Sequence, residues 1–129
     1  LVSVSSLEIL ANSSNFNGII IPTIDARRDE VYSSAFFQSN MISKEKPEII
    51  VSESFIEYLK NNNIIIVGNG QFKCEKIIKK HKKIFFDKNI INPSSKYMPE
   101  LSNRKFINNE FEDLAYFEPT YLKEFKTNL

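Results

Sequence analysis

Histidine and cysteine are almost missing from this chain: His81 and Cys74 are the one residue of each kind. A zinc site built on a His-x-x-x-His pair, or on any Cys/His cluster, is therefore excluded. A lone cysteine forms no internal disulfide, which points to a reducing compartment rather than to secretion. Long apolar runs are missing too. The longest uncharged apolar stretch, residues 18–24, is far short of the ~20 residues a membrane-spanning helix needs. No basic segment precedes an apolar one at the amino end, so no signal peptide is expected. Nor is charge of one sign in excess: 17 Lys and Arg against 16 Asp and Glu leave a net +1. Bulk electrostatics thus draws the chain neither to nucleic acid nor to membrane, and any basic patch must be local.

What is present is ordinary globular usage, 42% hydrophobic and 26% charged residues, which argues against disorder. The 129 residues suffice for one domain with one core. Asn, Ile and Lys are abundant, a compositional habit rather than a functional signal. The chain starts at Leu1 without an initiator methionine, as a piece of something longer would.

Ser5-Ser6-Leu7-Glu8 fits a capping box, and Leu7, Leu10 and Ala11 follow at helical spacing, so a helix is expected over residues 6–13. The β-branched run 19–24 reads as a strand, with Pro22 tolerated only where a neighbour does not need its amide. Residues 30–37 read as the second strand of a hairpin, 41–43 as a third, and 49–51 as a further extended piece. Ser52 is a candidate N-cap for a helix to residue 61 carrying Phe55, Ile56 and Leu59. The run 64–67 reads as a strand buried on both faces, followed at Gly68-Asn69-Gly70 by a helix with Cys74, Ile77, Ile78 and His81 on one stripe. Residues 84–86 form a last strand. Ser94 or Ser95 caps a final helix through Leu101 and Phe106, and an aromatic tail begins at Glu110. Hairpin strands followed by α/β alternation give an α/β fold, a five-stranded mixed sheet with helices on both faces, in the pattern of a ribonuclease-H-like domain.

Four segments, in order along the chain, resemble one family. Val4-Ser5-Ser6-Leu7-Glu8-Ile9-Leu10-Ala11 is similar to its VSSLEALA element. Asp25-Ala26-Arg27-Arg28-Asp29-Glu30-Val31-Tyr32 is similar to its DARRGEVY hairpin, Val67-Gly68-Asn69-Gly70 to its VGNG, and Pro119-Thr120-Tyr121-Leu122-Lys123 to its closing P-x-Y-L-R. The family is TsaB, also called YeaZ, of tRNA threonylcarbamoyladenosine synthesis. The resemblance implies a domain of the actin-like ATPase superfamily and a cytoplasmic, non-catalytic subunit. That subunit would activate a TsaD-like catalytic partner together with a TsaE-like ATPase, meeting tRNA only indirectly and needing no cofactor or metal of its own. The old glycoprotease label finds no support in these residues. The VSSLEALA element lies where the family's first domain gives way to its second. The expected division is therefore a linking helix over 1–16 from a first domain, a ribonuclease-H-like domain over 17–109, and the tail over 110–129. Asp29 stands where the family usually has Gly and Lys123 where it often has Arg; Asp suits turn geometry.

Each candidate site residue has a functional and a plain reading. Asp25, Arg27, Arg28, Glu30 and Tyr32, with Tyr121 and Lys123, are candidates for partner contact or for bracing a hairpin, the plainer reading by turn preferences. Gly68, Asn69 and Gly70 are candidates for ligand binding at a helix start, or for a tight strand-to-helix turn alone. The lysines from Lys76 to Lys83 could touch phosphate or form a solvated helix face. Cys74 and His81 read as core or boundary residues. No catalytic residue is nominated. The alternatives to a scaffold are a nucleotide-binding domain using residues 68–70 and a metal-dependent nuclease. The nuclease would draw on Asp25, Asp87 and Asp113, none of which sits inside a strand as that chemistry requires. Without a first domain the linking helix would expose Leu7 and Leu10, along with Tyr121 and Phe125, and such an apolar patch favours a twofold homodimer.

Overall fold

A computed structural model describes residues 5–93. Its sheet has five strands in the order β3-β2-β1-β4-β5: β1 (Ile19–Asp25), β2 (Glu30–Phe37), β3 (Asn40–Ile49), β4 (Ile64–Val67) and β5 (Ile84–Phe86). β1 pairs antiparallel with β2 and β2 with β3, while β4 runs parallel to both β1 and β5. This is the expected meander joined to a parallel half, with β4 inside the sheet and all four of its residues buried. Helix α1 (Ser6–Asn12) covers one face, and α2 (Gln71–Ile77) with the 3-10 helix Ile56–Lys60 covers the other.

α1 begins as its sequence dictates, with the Ser5 hydroxyl accepting from the Glu8 amide at 3.1 Å. Its Leu7, Leu10 and Ala11 pack with Ile20, Phe36, Ile65 and Val67 of the sheet. Leu7 and Leu10, at 2% and 0% exposure, are therefore core residues of this unit, and the apolar face expected to be uncovered there does not exist. On the opposite face Ile19, Ile21, Val31, Ile64 and Ile66 meet Phe55, Leu59, Cys74 and Ile78. The period-2 alternation of β1 and β4 thus feeds two cores, one per face.

The structure corrects three expectations and bears out the one on Pro22. β3 is ten residues long rather than three, running through the charged stretch Lys44-Glu45-Lys46-Pro47-Glu48. It is an edge strand, where charge and proline are the usual protection against unwanted pairing. The Ile50 amide donates to the Asp29 carbonyl, so alternate amides face inward and the nitrogen of Pro47 faces out, where no inner ladder bond is lost. Pro22, by contrast, lies in the central strand, and the β1–β2 ladder skips Ile21 and Pro22 between the pairs Ile20↔Phe36 and Thr23↔Ser33. The helix expected after Ser52 is a 3-10 helix over Ile56–Lys60, because Phe55 adopts a left-handed conformation (φ 66°) that delivers its ring to the core. Finally, α2 ends at Ile77. Ile78 is extended and buried, so the lysines beyond it lie on a loop rather than a helix face, and His81 is exposed instead of joining the stripe. The final helix and the aromatic tail lie outside the described residues.

Candidate functional site

Ligands of open α/β sheets settle at the carboxyl ends of the parallel strands. Here β1 ends at Asp25, and β4 ends at Val67 before Gly68. The Thr23 hydroxyl donates to the Val67 carbonyl at 2.6 Å and ties the two strand ends together. Gly68 then turns the chain at φ +91°, and a Cβ there would stand 1.9 Å from the Thr23 carbonyl oxygen. At Gly70 a Cβ would meet Thr23 Cβ at 2.8 Å. Both glycines are thus required by the close approach of the turn to β1.

Three amides at the turn and the helix start are already bonded. Gly68 N–H donates to the Ile90 carbonyl (2.7 Å), Gly70 N–H to Thr23 (3.5 Å) and Gln71 N–H to Gly68 (3.2 Å). Gln71 is fully buried, its side-chain nitrogen lying 2.8–3.1 Å from the carbonyls of Gly68, Asp87 and Ile90. Asn69 is the exposed member, and its side-chain oxygen accepts from the Asp25 amide at 2.6 Å. That bond joins two candidates that sequence kept apart, the glycine turn and the Asp25 hairpin.

The hairpin is held from below by Lys73 on α2. Its ammonium donates to the Ala26 carbonyl (2.7 Å) and the Glu30 carbonyl (3.0 Å), and pairs with the Asp25 carboxylate at 2.7 Å. Three ammonium hydrogens face three acceptors, so Lys73 presents nothing to a ligand. Arg28, in a left-handed conformation (φ 52°), and Arg27 are exposed, and their side chains reach no partner among the described residues. Between hairpin and helix lies an open cleft of about 510 Å³, with Arg28, Asn69, Phe72 and Lys76 on its walls. The Phe72 ring is partly exposed and carries the Lys88 ammonium 5.5 Å from its centre.

Of the residues singled out in sequence, Asp25, Arg28, Asn69 and the backbone of Glu30 converge here. Tyr32 does not: it points to the other face of the sheet, against the α1 cluster. Tyr121 and Lys123 lie outside the described residues. Lys73 and Phe72 were missed, the first as one more lysine among many. Its signal is position: it lies in the first turn after Gly70, where a long side chain reaches back over the end of β1. Cys74, one residue on, is buried in the core, and burial pushes its thiol up to about 12, against the smaller lowering influence of Lys73. Among the described residues no three His, Cys, Asp or Glu side chains come close enough to hold a metal ion. No helix there is long and apolar enough to cross a membrane.

The five-stranded mixed sheet, with its antiparallel meander, parallel half and helices on both faces, is a ribonuclease-H-like, actin-like fold. Solved structures share it. A Pseudomonas aeruginosa protein with similarity to peptidase YEAZ superposes with a TM-score of 0.71 at 21% identity, and YeaZ from the same organism with 0.66 at 22%. Each match covers 92% of this chain and 57% of the other. In sequence the chain is 27% identical over 128 residues to the tRNA threonylcarbamoyladenosine biosynthesis protein TsaB of Bacillus subtilis (strain 168). That match takes in 94% of this chain and 55% of the relative, so the chain spans about half the length of the proteins it resembles. No family model matches it. In sequence and in fold, then, the chain is similar to about half of a TsaB/YeaZ protein.

Proposed function

We propose that this chain is a domain of a scaffold subunit in the cytoplasmic synthesis of threonylcarbamoyladenosine on tRNA, itself non-catalytic. The observation that carries this reading is the match to TsaB along 94% of the chain. The site supports it. The Gly68, Gly70 and Gln71 amides are bonded within the chain, Lys73 is saturated, and among the described residues no nucleophile is paired with a base. What the surface offers outward is Arg27, Arg28, Lys76 and the Phe72 ring, and arginine and aromatic side chains are the residue types enriched at protein contacts. The partners proposed on the family resemblance are a TsaD-like transferase and a TsaE-like ATPase. A nucleotide site at Gly68–Asn69–Gly70 is disfavoured by the bonded amides of Gly68 and Gly70, since a phosphate held by these two would have to displace bonds that hold the turn. The nuclease reading fares no better, with Asp25 held by Lys73 and the Asp87 carboxylate accepting from the Asn89 amide.

Depleting the protein in its own cell tests the proposal. Mass spectrometry of hydrolysed tRNA should show threonylcarbamoyladenosine falling as the protein is lost, and recovering when it is re-expressed. An unchanged level after depletion would sink the reading.

A further inference from the structure

The lysines beyond α2 cluster at the opposite end of the sheet from the Asp25 cleft. The loop over residues 78–83 is fixed at both ends. The Lys79 amide donates to the Ser52 carbonyl at 3.0 Å, and the Lys83 ammonium to the Leu59 carbonyl at 2.6 Å. Between these ties, His81 Nδ1 accepts from the Lys83 amide at 3.0 Å and its carbonyl accepts from Ile84, closing a tight turn. The loop is thereby held against the end of the 3-10 helix, whose last residue is Lys60. Lys60, Lys79, Lys80 and Lys82 are all exposed, and none forms an ion pair or hydrogen bond through its side chain among the described residues. Glu53 and Glu57 are the carboxylates on the neighbouring segment, and Asn61, Asn62 and Asn63 follow Lys60 as neutral donors. In a chain of net charge +1, this is a strong local excess of positive charge on an anchored frame.

We propose that Lys60, Lys79, Lys80 and Lys82 bind the phosphate backbone of RNA. Lysines are point charges on flexible stems, suited to backbone contact without base readout. Within the loop itself no large apolar side chain is exposed, Ile77 being half-buried and Ile78 buried, so the loop lacks the anchor that a protein hot spot or membrane insertion uses; Val51 and Ile56 are exposed on the neighbouring segment. The choice of RNA over DNA rests on the function proposed above, whereas contact with a phosphate backbone does not.

Fluorescence anisotropy of a labelled RNA stem-loop with the full chain provides the test. Four neutralised phosphates give a slope of about −3 in log affinity against log salt, or roughly a 60-fold loss between 50 and 200 mM. The variant K60Q/K79Q/K80Q/K82Q should lose at least tenfold at 50 mM salt and most of that slope, with its melting temperature unchanged. The control K44Q/K46Q/K88Q, whose lysines lie elsewhere, should bind as the parent does. The proposal is overturned if the stem-loop does not bind at 50 mM salt, if the quadruple variant binds like the parent, or if the control loses as much. Tighter binding to a DNA hairpin of the same sequence, or equal binding to phosphatidylglycerol vesicles, would overturn RNA as the partner. Neither result depends on threonylcarbamoyladenosine levels, so this proposal and the previous one fail separately.

Discussion

The Lys73 ammonium joins helix α2 to two backbone carbonyls and one carboxylate, and these contacts differ in weight. Asp25 is half exposed, so solvent screens the ion pair to a small contribution. The carbonyls of Ala26 and Glu30 lose their donor outright when the ammonium is removed. Lys73→Met, which keeps most of the apolar stem, should therefore cost about 1–2 kcal/mol, and Asp25→Asn less than about 1 kcal/mol. Urea unfolding midpoints at matched m-values check both. Cys74 makes the opposite kind of prediction. Burial raises its thiol from 9.0 to about 12, so the folded chain holds this proton where the unfolded chain releases it. Its contribution is complete below pH 9 and is lost as pH rises from 9 towards 12. Against Cys74→Ala as reference, the parent should lose stability more steeply across that window. Equal slopes would show that the thiol titrates normally.

At the scale of elements, the glycine turn and α1 carry the clearest costs. A methyl at Gly68 overlaps the Thr23 carbonyl in a left-handed backbone, so Gly68→Ala should destabilise by more than about 2 kcal/mol. Gly70→Ala presses instead on the Thr23 and Val31 side chains, which can yield a little, and should cost less. Denaturant titration of the pair gives the order; a milder effect at Gly68 than at Gly70 would contradict the geometry. α1 was expected as a link to a first domain, yet its Leu10 is fully buried on this sheet. Leu10→Ala should cost about 2–5 kcal/mol, as a core cavity does, and thermal unfolding of the isolated chain measures it. A loss under 0.5 kcal/mol, about what an ordinary surface substitution produces, would mean that the helix contributes little here. The 3-10 helix and β3 show why periodicity misled. Phe55 and Leu59, four apart, would share one face of an α-helix, but both reach the core here because Phe55 lies outside the helix in a left-handed conformation and the tighter form follows it. The charged run 44–48 reads as loop until its place at the sheet edge is known.

For the whole molecule, two cores back to back on one sheet make β1 and β4 the best protected strands. They have neighbours on both edges and cover on both faces. Native-state hydrogen exchange should find the slowest amides at Ile20, Ile21, Ile65 and Ile66, and the fastest ladder amides on β3. Slow exchange on β3 would mean that its outer edge is covered in solution. The two faces of possible function also separate at this scale. The Asp25 cleft lies at the carboxyl ends of the parallel strands and the lysine loop at their amino ends, so each can be changed without touching the other.

Much of this was already determined by the sequence. The capping box starts α1, the β-branched runs make β1 and β4, and the hairpin-then-alternation order fixes a mixed sheet, because these signals are local and their periods survive any tertiary context. The family resemblance was equally legible, carried by short segments whose order is intact. What only the tertiary structure decided was which distant groups meet. The Asp25 amide finds Asn69, Lys73 closes on the hairpin, and Tyr32 turns to the other face. The lysines past Ile77 leave the helix because Ile78 must enter the core and the Lys79 amide must find Ser52. Those contacts join residues up to 47 positions apart, and no local pattern records them.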